Sequence, residues 1–442
     1  MKKILSALLM LCTWLSTDVA EARVDIQHWT TPSGARVYFV ASPALPMLDV
    51  QVDFSAGAAY EPRPEFAGVA ELTNDLLQSG TADLDEEQIA TRLVDIGARL
   101  HAATDYDRSS VTLRTLSAPE QRQAAIALLH AILSTPTFPA AVLEREKVRN
   151  IAAIQEADTK PDSLLAKRFA EALYPNHPYG VQATVASVGR ITREDLLAFW
   201  RQHYAARSAV ISLVGALSRA EAEEIAAQLS AGLPEAAAEA PLPAVSLPLA
   251  QVVNIAHPAA QSHIALGVPA IRRSDADYFP LLVGNYVLGG GGFVSRLMKE
   301  VREKRGYAYS VFSYFSPRRL EGPFQIGLQT KRAQAAEALK VVHTTLDAFL
   351  RDGPSEAELR AAKQNLIDGQ ALRLDSNAKI LASVAVIGFF DLPLDYLEQF
   401  PHQVEAVTVA QVRAAFARHV TPEHMVTVIV AGEPAAPVAA GN

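Results

Sequence analysis

The hydrophobic pattern reads as strands over 36–41, 48–55 and 109–116 in the first part of the chain, and over 262–268, 309–314 and 324–330 in the second. These runs are short and rich in β-branched and aromatic residues. Helices are predicted over 88–100, 119–134 and 333–351, where apolar residues recur three and four positions apart. Hairpin-like spacing between strands favours antiparallel pairing. Each part is therefore expected to be α+β, an antiparallel sheet with packed helices, rather than a doubly wound sheet.

The two parts share a pattern. A threonine, an amphipathic helix and a β-branched strand succeed one another in ITREDLLAFWRQH (191–203) and AVISLVG (209–215). The same order returns in VTVAQVRAAFARH (407–419) and MVTVIVA (425–431). The offset is constant: 408 − 192, 419 − 203 and 430 − 214 all give 216. Threonine is a good helix N-cap, and an ungapped match over two elements points to duplication. Between the copies lies AGLPEAAAEAPLPAVSLPLA (231–250), whose four prolines and lack of aromatics predict an extended linker. Homologous domains are expected at 23–230 and 251–437.

At 442 residues the chain is too long for one core, and with 50% hydrophobic and 20% charged residues it is globular. A net charge of −8 with no long basic run argues against nucleic acid as partner. Lys2 and Lys3, the apolar run from Ile4 to Leu15 and Ala20-Glu21-Ala22 follow the order of a secretory signal, expected at 1–22. The run is short for a span of ~20 residues, so an exported, periplasmic protein without a membrane anchor is expected. The single cysteine, Cys12, lies inside the signal, leaving the mature chain without disulfides, a thiol nucleophile or thiolate ligands.

Two stretches carry candidate chemistry. In GVAELTNDLLQSGT (68–81), Glu71, Asn74, Asp75 and Gln78 follow i, i+3, i+4, i+7 spacing and share a helix face. Two histidines at i and i+4 beside a glutamate would make a zinc site of such a face. None is present, and no two of the 11 histidines in the chain stand at i, i+4. The face is expected to be a solvated surface or the lining of a chamber. The second stretch, LGGGGFVSRLMKEVREKRGYAYS (288–310), runs from four glycines into a helix that Ser295 is expected to cap and Gly306 to end. Arg302 stands in its last turn and Tyr309 on the strand beyond. No Gly-Lys-Ser/Thr follows the glycines, which excludes a phosphate-cradling loop.

The segment NYVLGGGGFVSRLMKEVREKRGYAYS resembles the C-terminal-half signature of the pitrilysin/insulinase family of zinc metallopeptidases. GAAYEPRPEFAGVAELTNDLLQSGT and ALYPNHPYG are similar to segments of that family's N-terminal half, so the resemblance spans the mature chain. It implies paired α+β domains forming half of a clam shell. Laid on the family pattern, His-x-x-Glu-His falls on Glu71-Leu72-Thr73-Asn74-Asp75, so both histidine ligands and the catalytic glutamate are absent. The third ligand, a carboxylate, would fall near Ile151, where Glu146 and Glu156 only flank. The amide of Asn74 cannot take a proton from zinc-bound water, so no metal or other cofactor is expected in this chain.

Arg302 and Tyr309, seven positions apart, reproduce the pair that in the family binds the substrate backbone and steadies the oxyanion. The resemblance thus implies a zinc-free subunit of a heterodimeric peptidase. It would lend Arg302 and Tyr309 in trans to a paralogous partner that carries the motif and the zinc. Substrates would be unfolded peptides laid along a sheet edge. The alternative expectation is a stand-alone peptide-binding or scaffold protein in which the pair is idle.

Overall fold

In the computed structural model, residues 24–236 and 240–431 are described; the expected signal, with Cys12, lies outside them. The first sheet contains β1 (Gln27–Thr30), β2 (Arg36–Ala41), β3 (Met47–Phe54), β4 (Arg99–Thr104), β5 (Ser109–Leu116) and β6 (Val210–Gly215), in the order β1-β2-β6-β3-β5-β4. The second contains β7 (Gln251–Ile255), β8 (Gln261–Ile271), β9 (Ala308–Phe315), β10 (Gly322–Lys331) and β11 (Val426–Val430), in the order β7-β11-β8-β10-β9. With β1 set aside, both sheets run first, fifth, second, fourth, third. The repeat read from the sequence is therefore a repeat of topology. It extends to the capping boxes, in which Thr192 caps helix Arg193–His203 and Thr408 caps helix Val409–His419.

Pairing is antiparallel except between β2 and β6 and between β7 and β11, which are parallel. With β1 again set aside, each of those pairs joins the first and last strands of its half. The long helical crossover between them is what parallel pairing needs. One predicted helix ends early. Residues 88–100 keep helical spacing of apolar residues, but the helix is Glu86–Asp95, and Arg99 and Leu100 open β4, where pairing with β5 overrides the local pattern.

Each sheet is covered on both faces. One face packs on helices of its own half, around Phe39, Val50 and Leu213 in the first and Leu266, Phe324 and Ile326 in the second. The opposite faces are covered reciprocally. Helix Asn377–Phe389 of the second half sets Leu381, Val384 and Ile387 on Tyr38, Val210 and Val214 of the first sheet. Helix Pro161–Leu173 of the first half sets Phe169 and Leu173 on Ala265, Val426 and Val428 of the second. Gly388 permits this closeness, since a Cβ there would lie 2.7 Å from the Tyr38 ring. Central strand β6 is buried along its whole length because it is sandwiched this way.

The segment between the halves forms no helix or strand among its described residues, but it is fixed to the surface. His177 Nε2 lies 3.0 Å from the Pro243 carbonyl and His424 Nδ1 lies 2.8 Å from that of Pro248.

Candidate functional site

Helix Val69–Asp75 follows β3 and lies against edge strand β4. Its N-terminus is held by a residue the sequence did not single out: Glu61 Oε1 accepts from the N–H groups of Gly68 at 2.7 Å and Ala70 at 3.2 Å. Burial pushes the Glu61 carboxyl up to about 7, against the opposing pull of those N–H groups, with Glu71 adding repulsion.

The predicted polar face is split. Glu71 and Asp75 are exposed, but Asn74 is fully buried. Its amide donates to the carbonyls of Ala103 at 2.9 Å and Ser110 at 3.3 Å and to Thr104 Oγ1 at 3.1 Å, while Tyr204 donates to its carbonyl oxygen at 3.3 Å. Asn74 is thus a structural anchor rather than chamber lining, because β4 and β5 leave carbonyls there that need a donor. Asp75 keeps an exposed edge, yet it rises to about 6. Desolvation by surrounding protein is the main cause, followed by repulsion from Glu71 and Glu146, with His101 opposing. Glu146 thus acts on Asp75 by charge, whereas Ile151, near which the resemblance would place a third ligand, packs against the apolar core. Glu146 itself is paired with Arg145 and Arg149 at 3.0 Å.

These residues do not fit zinc. Among the described residues, the only three ligand-type side chains with donor atoms within 4.8 Å of one another are Asp275, Asp277 and His419, far along the chain from 71–75. That trio is already engaged. Arg418 grips Asp277 through two hydrogen bonds, and His419 bridges Asp277 and the Ala270 carbonyl. Burial alone would raise the Asp277 carboxyl, but the bonds from Arg418 and His419 hold it below the usual range.

The second stretch is built on widened turns. Residues Tyr286–Gly290 and Met298–Glu303 form π-helical turns, a geometry common at functional sites. Ser295 does not cap the latter with its side chain; its hydroxyl turns back and donates to the Gly292 carbonyl at 2.7 Å. Gly306 ends the turn as expected, at φ 66°, with its N–H donating to the Arg302 carbonyl and that of Tyr307 to the Val301 carbonyl.

Arg302 is thereby placed with its guanidinium 4.9 Å from the centre of the Phe293 ring and 4.8 Å from that of Tyr309. Among the described residues it makes no other polar contact. The register of β9 on β10 slips between Ser310, opposite Gln329, and Ala308, opposite Thr330, so Tyr309 is the extra residue of a bulge. The residue is 80% exposed. Phe293 escaped the sequence reading; the one available signal was a large apolar residue directly after four glycines.

Family models match most of the chain. The model described as Insulinase (Peptidase family M16) matches residues 36–185, and that described as Peptidase M16 inactive domain matches residues 190–366. A crystal structure of a peptidase M16 inactive domain from Pseudomonas fluorescens is 39% identical with a TM-score of 0.89, covering 93% of this chain and 100% of that one. A Bacillus subtilis protein named zinc protease YmxG is 25% identical over 80% of this chain and 86% of its own. A Helicobacter pylori protein named non-peptidase homolog YmxG is 26% identical over 90% of this chain and 92% of its own. With one family model matching residues 36–185 and the model described as an inactive domain matching 190–366, the chain belongs to the peptidase M16 (insulinase) family.

Proposed function

We infer that this chain is the zinc-free subunit of a heteromeric peptidase, exported through residues 1–22 and paired with a paralogous subunit that carries zinc and activates water. Arg302 and Tyr309 then reach peptides enclosed between the subunits, binding their backbone and donating to the developing oxyanion. One observation carries the reading: the Arg302 guanidinium is held between two rings, with its N–H edges bonded to no described residue, beside a tyrosine that is 80% exposed. A guanidinium set against a phenol and not committed to internal bonds keeps its donors available for a substrate.

The test is reconstitution. Alone, the chain should bind no stoichiometric zinc and cleave nothing; with the partner that co-purifies from native extract, it should restore peptidase activity. Tyr309→Phe keeps the ring under Arg302 and removes the hydroxyl. It should lower kcat about 10²–10³-fold while leaving the subunits associated. Unchanged turnover in Tyr309→Phe would instead favour a scaffold.

A further inference from the structure

A cavity of about 270 Å³ lies in the second half, apart from both stretches above, between helices Asn377–Phe389 and Tyr396–Ala406. Its lining combines apolar residues, Val386, Ile387, Leu397 and Phe400, with two cations, Arg273 and Arg373. No carboxylate lines it. Arg273 lies 4.6 Å from the centre of the Tyr278 ring and 5.9 Å from that of Tyr396, and Arg373 lies 5.8 Å from that of Phe400. Among the described residues neither guanidinium has an ion-pair partner, and Arg273 Nε is buried without a hydrogen bond.

A buried guanidinium N–H left unpaired is costly, and arginine at an apolar cavity is suited to a planar carboxylate. Burial, then the neighbouring Tyr278, push the Tyr396 hydroxyl above its usual range, so it stays an O–H donor at any ordinary pH. Space for about nine waters at liquid density is room for one ring and a short tether.

We propose that this cavity binds a carboxylate joined to a compact apolar group, with Arg273 and Arg373 on the carboxylate and Val386, Ile387 and Phe400 around the apolar body. The chemistry is shared by free aromatic or branched acids and by the apolar C-terminal residue of a peptide.

Calorimetric titration of the full chain tests it. The probes are 3-phenylpropionate, its neutral amide, and the tripeptide Ala-Ala-Phe with a free or amidated C-terminus. Binding of 3-phenylpropionate at millimolar affinity or better, at least tenfold tighter than the amide, is expected. Arg273→Gln should remove that preference, and Ser383→Phe, which places a ring in the cavity while keeping both arginines, should abolish binding at unchanged melting temperature. Tighter binding of free Ala-Ala-Phe than of 3-phenylpropionate identifies a peptide C-terminus as the occupant; the reverse order identifies a free acid. Equal binding of acid and amide, or no binding of any probe up to roughly 10 mM, overturns the proposal.

Discussion

Asn74 stands where the resemblance to the family motif would place a general base, and the structure gives its amide another task. Two donated bonds to the carbonyls of Ala103 and Ser110 hold the helix to the edge of the sheet. Asn74→Asp would turn both donors into an acceptor facing carbonyl oxygens. It should cost on the order of 2–3 kcal/mol, read as a lower urea midpoint at unchanged slope.

Glu61 makes a second prediction at this scale. Its carboxyl rises from 4.5 to about 7 on folding, so between those values the native state binds more protons than the unfolded chain. Stability must then fall as pH rises from 4.5 to 7, with Asp75 acting in the same direction from 3.8 to about 6. Glu61→Gln keeps an oxygen for the N–H groups of Gly68 and Ala70 but removes the titration. Its urea midpoint should lose the Glu61 share of that slope, and an unaltered slope would refute the assignment. At residue scale, the loss of the zinc ligands was legible because it is a matter of side-chain identity. The burial of Asn74 and the effect of Glu146 on Asp75 were not, since both depend on segments brought together across tens of residues.

At the scale of elements, the best-read features are the most local. The helices capped by Thr192 and Thr408 end at His203 and His419, as the 216-residue offset required. Capping and amphipathic spacing act within one or two turns, so the sequence alone discloses them. Thr408→Ala should cost about 1 kcal/mol, measured as a fall in denaturation midpoint.

Gly306 was also legible, as a glycine directly after a charged helical run. Its φ of 66° suits few other residues, and no atom lies within 4 Å of a Cβ added there, so Gly306→Ala isolates backbone strain. That substitution should destabilise by about 1 kcal/mol. In the heteromeric peptidase proposed above it should also reduce turnover, through misplacement of Arg302 relative to Tyr309. Less legible were the π-helical turns and the hydroxyl of Ser295 turning back to Gly292. The four glycines admit several backbone paths, and packing against β9 selects one.

Seen whole, the molecule is two copies of one topology locked by exchange. Away from the exchanged helices, the two halves are also joined by a polar clamp. Asp107 accepts from the Tyr179 hydroxyl and from the Arg319 N–H, and the Leu320 N–H donates to Tyr179 Oη. Arg318 sits 3.8 Å over the Tyr106 ring and 4.7 Å from the centre of the Tyr179 ring. Splitting the halves would expose the apolar faces around Tyr38 and Val210 on one side and Ala265 and Val428 on the other. Expressed separately, 24–230 and 251–431 should therefore aggregate or remain unfolded, whereas the intact chain should melt in one calorimetric transition. Two resolved transitions would show that the exchange contributes little. Any opening of a peptidase complex is then expected between chains rather than within this one. Among the described residues no helix is long and apolar enough to cross a membrane.

Sequence alone determined the α+β character and the duplication, because these follow from local periodicity and from capping within one or two turns. Tertiary structure decided which strands pair in parallel, that each half lends a helix to the other, and that Asn74 serves the sheet edge. It also decided that Phe293 and a bulge set Arg302 against Tyr309. Those outcomes rest on contacts between segments far apart in the chain, where packing and unsatisfied polar groups, not local pattern, set the free energy.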